Sequence, residues 1–102
     1  NLLIVDGIHL TKHKYDAFVG TNLYEILKNN AVEKVIITGF MTNFCCESTA
    51  RSAHDLDFFV DFVKDAMGTP GTEECSPEVL TQTTCSTIAN GFGNVVTTKN
   101  YL

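Results

Sequence analysis

The sequence predicts an α/β protein, a three-layer α/β/α arrangement around a mainly parallel sheet. Two observations lead there. Apolar, β-branched runs at residues 34–38 (KVIIT), 58–63 (FFVDFV) and 94–98 (NVVTT) recur along the chain, and the first has none of the alternation of a half-exposed strand, which is the pattern of strands covered on both faces. Between the runs lie segments with helical spacing, and strand, helix, strand, helix, strand connects through right-handed crossovers.

Each element has its own signal. Residues 1–5 (NLLIV) form an apolar, extended segment, and Asp6 with Gly7 marks a turn. An irregular basic stretch, HLTKHKYDAFVGT, leads to Asn22, placed to cap a helix in which Glu25 sits three residues on and Leu23, Ile26 and Leu27 make the apolar stripe. Asn29 and Asn30 end it. After residues 34–38 and Gly39 a second helix begins, with Cys46, Ala50 and Ala53 on one face and Cys45, Thr49 and Ser52 on the adjoining one. Residues 58–63 are the next buried strand, stopped by the Gly/Pro loop DAMGTPGT. Ser76 and Pro77 are an N-cap and first-turn pair for a helix carrying Val79, Leu80 and Ile88, which NGFG terminates. NVVTT is the last short strand, and the whole is Rossmann-like. The apolar entry after Asn1 reads as the C-terminal part of a longer protein, one domain truncated at its N-terminus.

Composition narrows the function. A net charge of −5 with only 7 Lys+Arg among 102 residues leaves little grip for phosphate backbones, so nucleic acid is not an expected partner. No apolar run is long enough to cross a bilayer, so no membrane is expected either. The four cysteines lack paired Cys/His spacing for zinc, and vicinal Cys45 and Cys46 are awkward to bridge. Reduced thiols in the cytoplasm are expected, with no metal and no cofactor. A truncated sheet would expose an edge, and a homo-oligomer is expected to cover it.

The strand-to-helix turn at residues 39–46 is where open α/β sheets bind ligands. A cysteine in the first turn of a helix feels unpaired N–H groups and the positive end of the dipole, both favouring thiolate. The same N–H groups can receive the oxygen of an attacked carbonyl. Helical phase gives Cys46 to packing beside Ala50 and Ala53 and leaves Cys45 for chemistry. His54 is nine residues along the same helix, too far to reach back; His9 and His13 lie in the basic loop within reach of a Cys/His dyad, and a surface or loop position is the favoured reading for each. Asp65, after a buried strand, reads as a carboxylate satisfying loop N–H groups.

The segments KHKYDAFVGTNL, VIITGFMTNFCCESTARSA and VKDAMGT together resemble the isochorismatase-like cysteine hydrolase superfamily, with its nicotinamidases, N-carbamoylsarcosine amidases and isochorismatases. The resemblance runs from about Leu10 to the end of the chain. It implies that Cys45 is the nucleophile and Lys12 the catalytic lysine, with Lys14 at a commonly basic neighbouring position. It also implies an oxyanion hole from the backbone N–H groups of Met41 and Cys45, and a cis peptide between Phe40 and Met41. The implied activity is hydrolysis of a small-molecule amide through a Cys45 thioester. The alternatives are vinyl ether hydrolysis of the isochorismatase type, which can run without the thiol, and a non-catalytic fragment acting through self-association. The general-base aspartate of such enzymes ends a strand far upstream of the lysine. Six positions separate Asp6 from Lys12, too few for the intervening elements, so that aspartate is expected outside this chain and Asp6 is the weaker candidate. A weaker reading is a thiol redox module using the adjacent cysteines, disfavoured by helical geometry, which splays adjacent side chains by about 100°.

Overall fold

The structure, a computed structural model, describes residues 7–102. The extended segment expected at 1–5 and Asp6 lie outside the described residues. A short helix, α1 (Leu23–Asn29), precedes strand β1 (Lys34–Phe40). A wide turn (Thr42–Cys46) leads into α2 (Glu47–Asp55), then β2 (Phe59–Gly68), α3 (Pro77–Gly91), β3 (Asn94–Val96) and a last 3₁₀ turn (Thr98–Tyr101). The three strands pair in the order β1-β2-β3, all parallel, so the fold is α/β with a parallel sheet.

Register fixes the two faces. Val35 pairs with Val60, Ile37 with Phe62 and Phe62 with Val95, so these side chains share one face. Ile37, Val60 and Phe62 pack there with Cys46, Ala50, Ala53, Phe58 and Ile88. Alanines on α2 bring its backbone close to the sheet, and both are fully buried. The stripe of Cys46, Ala50 and Ala53 read from the sequence is therefore the face that α2 turns inward.

The opposite face corrects one expectation. Residues 34–38 are not covered on both sides, since Ile37 is the one buried residue of β1 and Ile36 is 50% exposed. Phe59 on β2, expected to be buried, is 73% exposed on that same face. The reason is coverage: α2 and α3 both pack on the face of Ile37, Val60 and Phe62, and an apolar strand is buried only as far as neighbours cover it.

Two helix details also differ. Asn22 precedes α1 but makes no side-chain cap, because its backbone (φ −99°, ψ 26°) is not extended as a capping residue requires. Thr21 Oγ1 accepts the Leu23 N–H instead, at 3.3 Å. With 7 residues, α1 is too short to persist alone and rests on the packing of Leu27 against the core. In α3, Ser76 Oγ accepts the Val79 N–H at 3.1 Å, as a cap should, and Ile88 is buried. Val79 is not in the apolar stripe but 48% exposed. At about 100° per residue it lies on the side of the helix opposite Ile88. Beyond α3, a Cβ on Gly93 would meet the Val60 carbonyl oxygen at 2.5 Å, so only glycine lets the chain enter β3 this close to β2.

Two carboxylates tie the C-terminal turn to the sheet. Asp65 lies within β2 rather than in the loop after it, and accepts the N–H and Oγ1 of Thr98 at 2.9 and 2.8 Å, the structural role expected of it. Asp61, 5% exposed, accepts from Tyr101 Oη, from Lys34 Nζ at 3.1 Å and from Asn94 Nδ2 at 3.4 Å. The Tyr101 hydrogen bond, and behind it that of Lys34, lowers the Asp61 carboxyl below its ordinary 3.8 against the opposing effect of burial. A group held low in the fold stabilises it above its unfolded value and loses that contribution as pH falls through the folded one. Urea midpoints are therefore expected to stay level from pH 7 to about 4 and to fall below that, with a shallower acid fall in Asp61→Asn. An acid limb identical in the variant would show that the network carries no pH-dependent stability.

Candidate active site

The site is built at the carboxyl end of β1. Gly39, at φ +123°, adopts a backbone that side-chain-bearing residues rarely take, and the Phe40–Met41 peptide that follows is cis. Met41 is extended, and its carbonyl accepts the N–H of Phe44 at 3.2 Å and that of Cys46 at 3.1 Å. The second bond spans five residues, so the turn Thr42–Cys46 is a widened, π-helical one, and α2 becomes a regular α-helix only from Glu47. An ordinary helical start was expected; π turns of this kind occur frequently at functional sites.

The two cysteines part company in this turn. Cys46 is 3% exposed in the core, and burial, followed by the charge of neighbouring Cys45, pushes its thiol up to about 11 against the opposing pull of Lys12. Cys45 is half-buried, and its sulfur lies 3.7 Å from Lys12 Nζ. All four cysteines are free thiols, so the adjacent pair forms no disulfide.

Lys12 comes from an irregular segment 33 residues earlier, and its placement has a visible cause. The face of the second helix that carries Cys45 at position 0 carries Thr49 at 4 and Ser52 at 7. Thr49 Oγ1 accepts the Ala17 N–H at 3.0 Å, and Ser52 Oγ donates to Asp16, whose other oxygen accepts the Phe18 N–H at 2.9 Å. Tyr15 stacks on Phe44 with centroids 5.1 Å apart. Lys12 Nζ also donates to the Lys14 carbonyl, closing the segment on itself. Thr49, Ser52 and Asp16 had no role assigned in the sequence reading; the signal for Thr49 and Ser52 was the helical phase shared with Cys45, and Asp16, in the irregular segment, had no such local signal. Thr49→Val would leave the Ala17 N–H without its partner, a loss of about 1–3 kcal/mol. Amide hydrogen exchange is expected to quicken at residues 15–18 and not in β2, with Thr49→Ser restoring protection. Unchanged exchange at Ala17 and Phe18 would mean that this bond does not hold the segment.

The histidines are placed apart from the thiol's hydrogen bond. His54 sits at the far end of α2, 3.0 Å from Asp55 and edge-on to Phe92, which Arg51 also covers. His9 is exposed, and His13 lines a recess beside Cys45 without bonding to it. Among the described residues, no group of three metal-ligating side chains gathers and no helix is long and apolar enough to cross a membrane.

In this parallel α/β sheet a cysteine and a lysine meet over the carboxyl end of β1. Residues 3–100 match the isochorismatase domain, and the chain belongs to this family of isochorismatase-like hydrolases, which has amidohydrolases among its members. Nicotinamidase 3 of Arabidopsis thaliana is 41% identical over 85 residues, covering 83% of this chain and 40% of that protein. The secreted isochorismatase effector Isc1 of Verticillium dahliae is 31% identical over 91 residues, covering 89% of this chain and 48% of that one. A cysteine hydrolase from Pseudomonas syringae pv. phaseolicola superposes with a TM-score of 0.79 at 32% identity, over 88% of this chain and 45% of that one. The chain spans less than half the length of these relatives.

Proposed function

We propose that the chain carries the nucleophile and lysine of a cysteine hydrolase that cleaves the C–N bond of a small amide. The observation that supports this most directly is the 3.7 Å approach of Lys12 Nζ to Cys45 Sγ at the strand-to-helix turn. The Cys45 sulfur adds to the carbonyl carbon, forming a C–S bond, and the oxygen becomes an oxyanion received by the backbone N–H groups of Met41 and Cys45. Lys12 offsets the charge that builds at this point. The C–N bond breaks, ammonia or an amine leaves with a proton, and water cleaves the thioester to a carboxylic acid and the free thiol. Cys45, which vinyl ether chemistry does not need, favours the amide reaction.

The test is to offer nicotinamide, carbamoyl and ureido compounds, follow ammonia release, and map acid-quenched protein by mass. An acyl adduct on the Cys45 peptide with ammonia formed is the expected result. A folded chain that yields neither with any of these compounds would overturn the reading.

A second reading, association between copies of a non-catalytic chain, is favoured by the apolar sheet face on which Ile36 and Phe59 are exposed, with β1 at the edge of the described sheet. Sedimentation velocity separates the two: a concentration-dependent dimer without turnover is the result this reading expects.

A further inference from the structure

We propose that the contact between Lys12 and Cys45 is also a modification site, where a hydroperoxide joins the lysine nitrogen to the cysteine sulfur in an S–N bond that thiols reverse. This goes beyond the hydrolase reading, since it needs the two side chains in contact but no amide substrate. The contact is open to a small oxidant: Cys45 lines two recesses, of about 330 and 470 Å³, and Lys12 lines both with it. A thiol oxidised to a sulfenic acid persists only until a thiol or a nitrogen condenses with it, so its fate is set by what stands beside the sulfur.

Elimination leaves the lysine. The adjacent thiol, Cys46, is buried among the core side chains, and burial pushes it up to about 11, so little of it is the thiolate that would attack. Cys75 lies in the loop before α3, Cys85 lies on α3 beside Lys64 and Val95, and neither lines a recess of Cys45. The backbone nitrogen of Cys46, which could close a ring with the sulfur, already donates to the Met41 carbonyl at 3.1 Å within the wide turn. Lys12 Nζ, by contrast, lies 3.7 Å from the sulfur, and its bond to the Lys14 carbonyl keeps it there. Its stem is exposed and flexible, so closing the remaining distance displaces no packed group.

The same pair supplies the protons. The Cys45 thiolate attacks one oxygen of the peroxide, the O–O bond breaks, and the departing hydroxide takes a proton from the Lys12 ammonium and leaves as water. Sulfur is oxidised by two electrons to the sulfenic acid, the peroxide is reduced, and Lys12 is left as the neutral amine that can attack. Its lone pair then forms the S–N bond, the S–O bond breaks, and the hydroxyl leaves with a proton from nitrogen as a second water. A thiol reverses the link by attacking the Cys45 sulfur, which releases the lysine and forms a mixed disulfide. A second thiol then frees Cys45.

Peptide mapping of the folded chain after treatment with hydrogen peroxide tests this. Cys45 is expected to lose its labelling by iodoacetamide, and trypsin to stop cutting after Lys12. The peptides carrying Lys12 and Cys45 should appear as one species two hydrogens lighter than their sum, and dithiothreitol should restore both. Cys46→Ala and Lys14→Gln should form the same species. In Lys12→Met the products, at whatever rate they form, should shift several-fold toward the sulfinic acid, which dithiothreitol does not reverse. A Cys45 peptide that changes mass alone, by added oxygen or by a disulfide to Cys46, would overturn the proposal, as would one left unmodified with Lys12 still cleavable. Turnover by the reduced chain, measured separately, decides the hydrolase reading whichever way this experiment falls.

Discussion

Cys45→Ala is expected to abolish amide turnover, with a fall of more than about 10³-fold in kcat/KM, because the thioester path has no other nucleophile at the turn. Cys46→Ala is the informative partner. It removes an adjacent sulfur of the same type, but one that is 3% exposed in the core and whose thiol is pushed up to about 11. Its cost should be in stability, about 1 kcal/mol for a small buried group, with turnover kept within a few-fold. Lys12→Met should fall between, at roughly 10²-fold, the scale of losing one electrostatic contact to the developing oxyanion. Ammonia release by the three variants alongside the parent chain gives the comparison. Equal losses for Cys45→Ala and Cys46→Ala would mean that the turn responds only as a structural unit, and the division of labour between the cysteines would be wrong.

The second large effect is on the fold. Phe62 is fully buried at the centre of the sheet, and Phe62→Ala is expected to cost about 3–5 kcal/mol. A chain of this length has about 5–15 kcal/mol to lose, so the variant should melt more than about 10 °C below the parent or fail to fold. Phe59→Ala, three residues earlier and 73% exposed, should change the urea midpoint by an amount within about 0.5 kcal/mol. The pair reads the two faces of one strand. A cost at Phe59 approaching that at Phe62 would show that a partner surface covers the outer face in solution, which is the outcome self-association requires.

Much of this was legible in the linear chain because local rules suffice for it. The strand and helix order followed from β-branched runs, from Ser76 and Pro77, and from glycines at element ends. The difference in packing between half-buried Cys45 and buried Cys46 followed from helical phase, since a 4–7 spacing with two alanines suits a close-packed face. What the sequence could not supply was anything set by the number of neighbours. An apolar run such as residues 34–38 looks the same whether helices cover one face of the sheet or both, and only the packing of α2 and α3 on the face of Ile37 decided that Ile36 is exposed. Likewise, nothing local in the sequence joins Ala17 to Thr49 or Asp16 to Ser52. The motif resemblance nominated Lys12, but the contact itself belongs to tertiary structure: a lysine 33 residues from a cysteine reaches it only because hydrogen bonds and a ring stack hold the intervening chain in place. Sequence determined which residues could do chemistry, because that depends on residue type and local backbone. Tertiary structure decided which of them meet, because contact depends on packing between segments that no local preference encodes.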